Sequence, residues 1–563
     1  MNPIKLSNYT PRANLAARAG LLAARLEKRE YRPETVLTMD QSGWPGDWEG
    51  RTILALVRLA QTTKKEPAYL HEIVETVLSA RNERGYLGTI YEDGMANEQQ
   101  LSGHSWLLRG LCAYYEYTGS RECYDAALTI GRNLFLPLKE TYASYPVKPE
   151  ERVYGGDMAG NSAKTVGKWI ISTDTGCAYI PLDGMSALYE MTHDEEIGAM
   201  LDLMIAQFLK IDFTGICVQT HATLTGTRGI LRAYRTGRNP AYLDAAKKLF
   251  AMYLEHGMTA NYANYNWFGR PEWTEPCAVI DSFLCAMQLY AETGMRDYIT
   301  AAQRIYYNGM GFGQRENGGF GCDTCLGAVG TPENTVLRMH CPEAYWCCSM
   351  RGGEGLSSAA EYAYLTDDET KTVTVPYFSS SQALISLSGG EIFVTQKTAY
   401  PMGGHTVFSF LGSEIPETFT LRCYLPDTAE HLCVRKADLS FADDTATATA
   451  AGVTTVTAIS VDPDYTIDNG MLSITVTKQT AEIMIDFDLP YHTEIPVGAH
   501  NRKDVCAIFR GNLMYSVTVE NEAECASAKT LIANAEKDPT SSKLRPLFDA
   551  YETDHNQRRV LFS

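Results

Sequence analysis

Two neighbouring cysteines, Cys347 and Cys348, stand between an aromatic pair and a glycine-rich turn in CPEAYWCCSMRGGEG, residues 341–355. Neighbouring thiols face one ion only where the backbone bends, and we expect the glycines of that turn to permit the bend. A second pair lies upstream in PEWTEPCAVIDSF, where one residue separates Glu275 from Cys277 at a predicted helix start. One carboxylate and three thiols make a tetrahedral zinc set, so these residues are candidate zinc ligands.

The cysteine content of the chain leaves a second interpretation open. There are 15 cysteines, and a free cysteine is a common small core residue. Ordinary zinc motifs have tighter spacing than this set. On spacing alone, the four residues remain either metal ligands or packing residues.

The elements that must hold these residues are helices, which the pattern predicts from about residue 12 to residue 365. A repeated phrase punctuates them: a helix ends in an aromatic or small residue, then come a threonine, a short polar turn and a new helix. The threonines of its six copies are Thr62, Thr118, Thr192, Thr236, Thr293 and Thr366. Such phrases also occur in other helical proteins. With residues 12–28 as the last outer helix, six hairpins predict a closed (α/α)6 barrel.

Beyond about residue 370 the pattern changes from helical to alternating. β-Branched runs such as KTVTVPYF, EIFVTQKTAY and MLSITVTKQTAEIMIDFDLP are separated by Gly, Asp and Pro turns, which predicts a β-sandwich. The fold class is therefore α+β multidomain. We predict a barrel domain over residues 1–368, a sandwich over 369–490, and a C-terminal β segment and tail over 491–563.

A family resemblance adds to the zinc hypothesis. TEPCAVIDSFLCAMQLYAETGMRDYITAAQRIYYNG, followed by the paired cysteines, resembles the catalytic domain of glycoside hydrolase family 127, the β-L-arabinofuranosidases, and CAIFRGNLMYSVTVENE resembles a later strand of that family. The resemblance implies Zn²⁺ held by Glu275, Cys277, Cys347 and Cys348. It also implies Cys347 as nucleophile in a retaining, two-step displacement through a thioglycosyl intermediate.

The proton donor departs from the family pattern. Better-known members carry a general-acid glutamate on the loop before the E-x-C motif, but residues 256–271 contain no Asp or Glu, and SMRGGEG replaces the family's Pro-Pro-Asn stretch after the cysteines. Glu272 is the first candidate acid because it lies on that same loop. The other candidate donors are Glu343, Glu354, Tyr262 and Tyr265.

Two histidines match helix positions that resemble sugar-contacting histidines of the family, His104 and His221. Both precede a turn threonine by about one helix length, so we expect them at one end of the inner helices. A histidine on an apolar helix is also often a core residue. The aromatic residues that we expect to contact a sugar are Trp48, Tyr265, Trp267 and Trp346.

A second group of candidate metal ligands precedes the paired cysteines. GCDTC places Cys322 and Cys325 at C-x2-C spacing, and His340 and Cys341 follow fifteen residues later. This spacing allows a separate structural zinc that fixes the loop before the nucleophile. Competition for the catalytic metal and simple packing are the alternatives.

Composition limits the partners. The net charge of −19 disfavours nucleic acids, acidic polysaccharides and anionic membranes. The first thirty residues carry charges throughout, and no segment approaches the length of a membrane span, so we expect neither a signal peptide nor a membrane anchor. An odd number of unevenly spaced cysteines then indicates reduced thiols and a cytoplasmic location.

These observations favour a zinc-thiolate glycoside hydrolase acting on a small L-arabinofuranoside or related sugar. The expected partner is that substrate, with a homodimer left open. Two alternatives remain: another carbohydrate-active enzyme on the same barrel, such as a lyase, or a non-catalytic sugar-binding protein with a structural zinc.

Overall fold

The structure of the chain is a computed structural model. It describes residues 1–39, 43–151, 160–328, 334–410, 416–441, 456–499, 503–519, 527–540, 542–551 and 557–562.

The first two-thirds of the chain are mainly helical, as predicted. The helices are α1 (Ala13–Arg25), α2 (Pro33–Met39), α3 (Asp47–Thr63), α4 (Leu70–Ser79), α5 (Glu98–Thr118), α6 (Arg121–Ile130), α7 (Lys139–Ala143), α8 (Pro181–Thr192), α9 (Glu195–Phe208), α10 (Thr220–Gly237), α11 (Pro240–His256), α12 (Pro276–Thr293), α13 (Arg296–Arg304), α14 (Gly311–Gly313), α15 (Cys348–Glu361) and α16 (Ala528–Lys537).

Six of these helices contact one another in a closed ring. In order around the ring, α3 packs on α5, α5 on α8, α8 on α10, α10 on α12, α12 on α15, and α15 on α3 again. Outside them, α4, α6, α9, α11 and α13 pack on α3, α5, α8, α10 and α12, while α1 packs on α15. The N-terminal segment therefore supplies the last outer helix, as the sequence predicted.

The repeated threonine has a physical role at the end of the inner helices. Each of the first five donates its hydroxyl to the carbonyl four residues earlier, as Thr118 does to Tyr114 at 2.8 Å. The residue that ends each helix then adopts a left-handed conformation, for example Gly119 with φ 77°. The sixth copy differs, because α15 ends at Glu361 and Thr366 lies in a strand.

A glycine sets the closest helix contact of the ring. A Cβ on Gly50 of α3 would lie 2.1 Å from the backbone of Trp106 and Leu107 in α5. No side chain fits there, so glycine allows the two backbones to touch. This contact fixes the start of α3 against α5, at the end of the ring where the candidate site lies.

The C-terminal third is rich in strands, as predicted. The strands of the whole chain are β1 (Asn2–Pro3), β2 (Tyr9–Pro11), β3 (Ala96–Asn97), β4 (Ser162–Val166), β5 (Trp169–Ser172), β6 (Val336–Leu337), β7 (Leu365–Asp367), β8 (Thr372–Val375), β9 (Ser381–Leu387), β10 (Gly390–Thr398), β11 (Thr406–Ser409), β12 (Thr418–Tyr424), β13 (Glu430–Phe441), β14 (Val456–Val461), β15 (Tyr465–Asp468), β16 (Met471–Thr477), β17 (Thr480–Asp488), β18 (Tyr491–Glu494), β19 (Cys506–Arg510), β20 (Leu513–Thr518), β21 (Arg545–Pro546), β22 (Arg558–Arg559) and β23 (Leu561–Phe562).

The strands form three larger sheets and one small one. Their orders are β1-β7-β8-β12-β16-β15, then β14-β13-β17-β11-β10-β9-β2, then β18-β19-β20-β22-β6, with β3-β5-β4 inside the helical region. Alternate side chains of β9 and β17 are buried, as a sheet with one covered face requires.

Strands from the helical region complete the C-terminal sheets. The short strands β1 and β2 form edges of the first two sheets, and β6 forms an edge of the third. Short edge strands of this kind limit further strand pairing. The predicted boundaries at residues 368 and 490 stay predictions, because chain from before residue 368 contributes to all three sheets.

The helical region is also joined to the third sheet by side chains. Arg304 of α13 forms an ion pair with Glu494 of β18, donates to the Tyr262 hydroxyl at 2.7 Å and donates to Asn512 at 3.2 Å. No helix in the described part of the chain is long and apolar enough to cross a membrane.

Candidate metal centre and active-site cavity

The N-terminal ends of the inner helices surround a cavity of about 560 Å³. Each helix of the ring brings a side chain to it, from its first five residues or from the residue just before the helix. These residues are Asp47, Trp48 and Arg51 of α3, Ser102 of α5, Ile180 before α8, Gln219 before α10 and His221 within it, Glu275 before α12, Cys347 before α15 and Cys348 within it. The predicted mouth of the ring is therefore the end at which the candidate ligands meet.

Three cysteines lie together at this cavity: Cys347 and Cys348 line it, and Cys277 lies beside them. The Sγ atoms of Cys277, Cys347 and Cys348 are all within 4.8 Å of one another. The Cys348 Sγ lies 3.5 Å from that of Cys277 and 3.3 Å from that of Cys347. Cys277 and Cys348 are buried, and Cys347 is partly exposed.

The backbone bend that brings the paired thiols together lies at Cys347, which precedes α15 with φ −151° and ψ −59°. We expected the glycines after Cys347 to form this bend. They do not, because they lie inside α15. A Cβ on Gly352 would lie 2.2 Å from Phe320, and one on Gly355 would lie 2.8 Å from Ile280. These glycines let α15 pack closely against its neighbours.

A carboxylate and a histidine extend the thiol group. Ligand atoms of Glu275, His221 and Cys277 lie within 4.8 Å of one another, so Cys277 belongs to both sets. Gln219 donates to Glu275 Oε2 at 3.3 Å. With its amide oriented to satisfy both neighbours, Asn266 donates to the same oxygen at 2.5 Å.

The local electrostatics favour a thiolate at Cys277. Burial opposes it, but thiol hydrogen bonds from Cys347 and Cys348 and the charge of Arg51 outweigh burial and hold the pKa of Cys277 well below its usual value. Arg51 Nη1 lies 3.6 Å from the sulfur. Glu275 and the paired cysteines stand at the starts of α12 and α15, where the helix dipole stabilises negative charge.

The donor set suits zinc. Tetrahedral zinc with sulfur ligands at about 2.3 Å places neighbouring sulfurs about 3.8 Å apart, close to the separations of 3.3 and 3.5 Å between these thiols. Two groups of donors that share Cys277 would be available to a zinc ion: the three thiols, and Cys277 with Glu275 and His221.

A buried ion network supports the cavity from below. Asp281 of α12 accepts hydrogen bonds from His221 Nδ1 at 2.9 Å, Arg228 at 2.6 Å and Arg351 at 2.5 Å. Glu354 pairs with Arg228 at 2.6 Å and also with Arg351. The network orients His221 so that its Nε2 faces Arg51 at 3.5 Å.

Sequence reasoning missed this network, although a signal exists. His221, Thr225 and Arg228 follow at spacings of four and three residues on α10 and therefore share one helix face. All three are buried. Polar side chains on a buried helix face need partners, and the facing helices offer Asp281, which the sequence analysis did not name, and Glu354, which it named only as a candidate proton donor.

Comparison with known proteins extends these observations. No protein-family model matches the chain and no curated protein matches it in sequence. A solved GH127 β-arabinofuranosidase superposes with a TM-score of 0.67 at 14% identity, over 100% of this chain and 97% of the other. A GH127 β-L-arabinofuranosidase from Geobacillus stearothermophilus T6 gives 0.64 at 14% identity, over 98% and 99%. The chain has the GH127 fold.

A third solved structure, described as a glycoside hydrolase, gives a TM-score of 0.61 at 12% identity over 100% of this chain and 97% of that one. These likenesses confirm the resemblance at the level of the fold. At such low identity, the activity has to be argued from the site itself.

Aromatic side chains form much of the cavity wall. Trp48 and Trp346 line it as predicted, and Trp44 and Trp273 join them without having been predicted. Trp346 is 46% exposed, an unusual exposure for a tryptophan outside a binding surface. Exposed aromatic faces around a polar floor suit a sugar ring.

Three predicted substrate contacts lie away from the cavity. His104 is buried, with Nδ1 against the Gln100 carbonyl at 2.8 Å and Nε2 accepting from the Leu87 N–H at 3.0 Å. Both ring nitrogens are thus used by the backbone, which is the core role left open by the sequence. Tyr265 and Trp267 are also buried outside the cavity lining.

The candidate acids named from the sequence are held elsewhere. Glu272 pairs with Arg270 at 2.6 Å and does not line the cavity. Glu343 pairs with Arg25 at 3.0 Å and accepts from Ser349 at 2.7 Å. Glu354 belongs to the buried network, and Tyr262 contacts Arg304 and Glu494.

The predicted second zinc site stays a prediction: Cys322, His340 and Cys341 line the cavity, whereas Cys325 does not. Cys325 packs with Tyr265 and Ala328, and its thiol donates to the Asn264 carbonyl at 3.6 Å. His340 stacks on Trp273, with ring centroids 5.1 Å apart. Cys322 instead hydrogen-bonds with Cys341 and Cys348. The two thiols of the C-x2-C pair, Cys322 and Cys325, therefore have different partners.

Proposed function

We propose that this protein is a zinc-thiolate glycoside hydrolase that retains anomeric configuration and acts on a small β-L-arabinofuranoside or related glycoside. In this proposal the helical ring is an (α/α)6 barrel, and the first two C-terminal sheets form a β-sandwich that braces it. The named GH127 structures that share the fold are β-L-arabinofuranosidases or β-arabinofuranosidases, which supports this substrate class.

One observation carries the proposal: a group of three thiols adjoins a tryptophan-lined cavity, two of them line it, and of the three Cys347 alone is partly exposed. Two buried thiols and a carboxylate suit permanent ligands. The partly exposed thiol suits attack on a substrate in the cavity.

A bound zinc ion would hold these thiols as thiolates at neutral pH. In the first step Cys347 Sγ attacks the anomeric carbon, the glycosidic C–O bond breaks, and the leaving alcohol receives a proton. In the second step water attacks the same carbon, the C–S bond breaks and the thiolate returns. Two inversions give net retention. His221, oriented by Asp281, faces the reacting region with its Nε2.

Metal content tests the ligand set. We expect about one zinc per chain in the wild type under reducing, zinc-replete conditions, and much less in Cys348→Ser and Glu275→Gln. Cys285→Ser is the matched control, since Cys285 is also buried in α12 but its thiol donates to the Leu224 carbonyl at 3.5 Å and belongs to neither group of candidate ligands. Equal zinc in all four proteins would contradict the assigned ligands.

Turnover tests the chemistry. The zinc-loaded wild type should hydrolyse an aryl β-L-arabinofuranoside with retention, and Cys347→Ser should lose turnover. Mass spectrometry of a slowly hydrolysed substrate should locate one sugar on Cys347. If a panel of aryl furanosides and pyranosides gives no hydrolysis with zinc-loaded protein, the proposed function is wrong.

A further inference from the structure

The proton donor for the leaving group has no candidate among the acids named from the sequence, because none of them lines the cavity. Among the described residues, three acidic side chains do: Asp47, Asp174 and Glu275. Glu275 is a proposed metal ligand. Asp47 forms an ion pair with Arg51, whose Nε lies 2.7 Å from Oδ2; burial raises the pKa of Asp47, and the charge and hydrogen bond of Arg51 oppose that shift. Of the two that are not proposed ligands, Asp174 is the one without an ion pair to a described residue.

The Asp174 carboxyl has the surroundings of a neutral acid. It is 7% exposed and forms no ion pair with the described residues. Its Oδ2 accepts from the Gly160 N–H at 3.0 Å. Its Oδ1 is buried in the cavity wall and makes no hydrogen bond within the described part of the chain. A buried carboxyl oxygen without a partner is costly unless it is protonated or meets a ligand.

The loop that carries Asp174 is fixed to the proposed metal centre. It follows β5, and the Asp174 N–H donates to the Ser172 hydroxyl at 3.1 Å. The next carbonyl, that of Thr175, accepts from the Gln219 N–H at 2.9 Å. Gln219 in turn donates its side chain to Glu275 at 3.3 Å. Gln219 thus links the loop that carries Asp174 to Glu275, the proposed metal ligand.

We propose that Asp174 is the general acid and base of this site, an inference that rests on the proposed hydrolase function. In the first step the Asp174 proton passes to the glycosidic oxygen as the C–O bond breaks and the Cys347 C–S bond forms. In the second step the Asp174 carboxylate takes a proton from the attacking water as the C–S bond breaks. The sum is glycoside plus water giving free sugar plus alcohol.

Electrostatics support this role. Burial raises the pKa of Asp174 to about 7, with the Gly160 hydrogen bond opposing the shift and the carboxylates of Glu98 and Asp47 adding to it. Arg270 is the cation that acts against it, and Glu275 also interacts with Asp174. A catalytic acid works best with a pKa near the operating pH. The wild-type kcat/KM should therefore fall as pH rises above about 7, because the acid form is lost.

The test compares two leaving groups in zinc-loaded protein. The probes are 4-nitrophenyl β-L-arabinofuranoside, whose leaving group needs no proton, and methyl β-L-arabinofuranoside, whose leaving group does. Asp174→Asn keeps an oxygen acceptor for Gly160 but has no transferable proton. We expect its kcat/KM to fall about 10²- to 10⁴-fold on the methyl glycoside and less than about 10-fold on the aryl glycoside. The fall in kcat/KM above neutral pH should disappear.

Asp47→Asn is the matched control, since it removes the other non-ligand carboxylate of the cavity. We expect it to affect both substrates by the same factor. Equal losses on both substrates in Asp174→Asn, an unchanged pH profile, or loss of zinc from that variant would overturn the acid role while leaving the hydrolase function intact. If the wild type hydrolyses neither probe nor any other aryl glycoside, both the acid role of Asp174 and the proposed hydrolase function are wrong.

Discussion

Removal of the Asp281 charge should destabilise the helical ring strongly. In Asp281→Asn the side chain keeps its shape, but Arg228 and Arg351 lose the carboxylate that they share at 2.6 and 2.5 Å. Both guanidiniums still pair with Glu354, so about one positive charge is left buried without compensation. Leaving one partner of a buried pair alone costs about 3–5 kcal/mol. We expect a loss of that size in the free energy of unfolding.

The exposed pair of Arg121 and Asp125 provides the control. Its two groups are 3.0 Å apart, like the buried pairs, but their side chains are 70% and 58% exposed. Exposed pairs contribute about 0–1 kcal/mol because water screens them. Asp125→Asn should therefore change the free energy of unfolding by less than about 1 kcal/mol.

Urea unfolding followed by tryptophan fluorescence measures both variants. All 7 tryptophans lie between residues 44 and 346, so the signal reports on the helical region and not on the C-terminal sheets. The reasoning is refuted if Asp281→Asn unfolds within about 1 kcal/mol of Asp125→Asn. In that case the network would be hydrated or able to rearrange, and it could not hold His221 in one orientation.

Three further predictions use matched pairs of variants or conditions. Gly50→Ala should lower the free energy of unfolding by about 1–3 kcal/mol, because the added Cβ would lie 2.1 Å from the α5 backbone. Gly20→Ala, whose Cβ meets nothing within 4 Å, should raise the free energy of unfolding by about 0.5–1 kcal/mol. Equal shifts in thermal unfolding of the two variants would contradict the contact. His104→Ala should lower the free energy of unfolding by about 1–3 kcal/mol, since it leaves two backbone partners unsatisfied, but the folded variant should keep its kcat/KM. His221→Ala should lower kcat/KM. A lower kcat/KM in both variants would contradict the placement of the two histidines. In metal-free protein, burial raises the pKa of Asp174 to about 7, so the wild type loses stability as pH rises from about 4 to 7 and the carboxyl ionises. The free energy of unfolding of Asp174→Asn should therefore exceed that of the wild type by up to about 4 kcal/mol at pH 8 but not at pH 4. The same difference at both pH values would contradict this prediction.

Much of the fold could be predicted because its signals are local. The turn threonines mark helix ends through a hydrogen bond to the preceding turn, and alternation marks strands. The recruitment of β1, β2 and β6 into distant sheets carries no local signal, since two- or three-residue strands exist only through their partners. Periodicity alone therefore gives no indication of these strand exchanges.

Some residues of the candidate site could likewise be named from the sequence, whereas others are distinguished only by contacts between helices. Glu275, Cys277, Cys347 and Cys348 are paired by short spacings, so the sequence could name them; Glu275, Cys347 and Cys348 line one cavity, and Cys277 lies beside them. His104 and His221 look alike in sequence, each on a helix just before a turn threonine. What separates them is the partner of each ring, a backbone carbonyl and N–H for His104 and a carboxylate from another helix for His221. Only tertiary contacts carry that distinction.

The displaced proton donor explains why the loop after residue 255 can lack acids. A loop acid before the E-x-C motif would approach the cavity beside Glu275, where Asn266 and Trp273 now stand. Asp174 approaches from the loop after β5, and Gln219 connects that loop to Glu275. If the acid acts from this side, the leaving-group oxygen must lie beside Asp174, near Trp44, because Gly160 both donates to Asp174 at 3.0 Å and accepts from the Trp44 indole at 3.3 Å. Replacing Trp44 by Ala should therefore raise KM for aryl glycosides more than for the methyl glycoside, because the aryl group loses its stacking face. Equal changes in KM for the two substrates would place the leaving group elsewhere in the cavity.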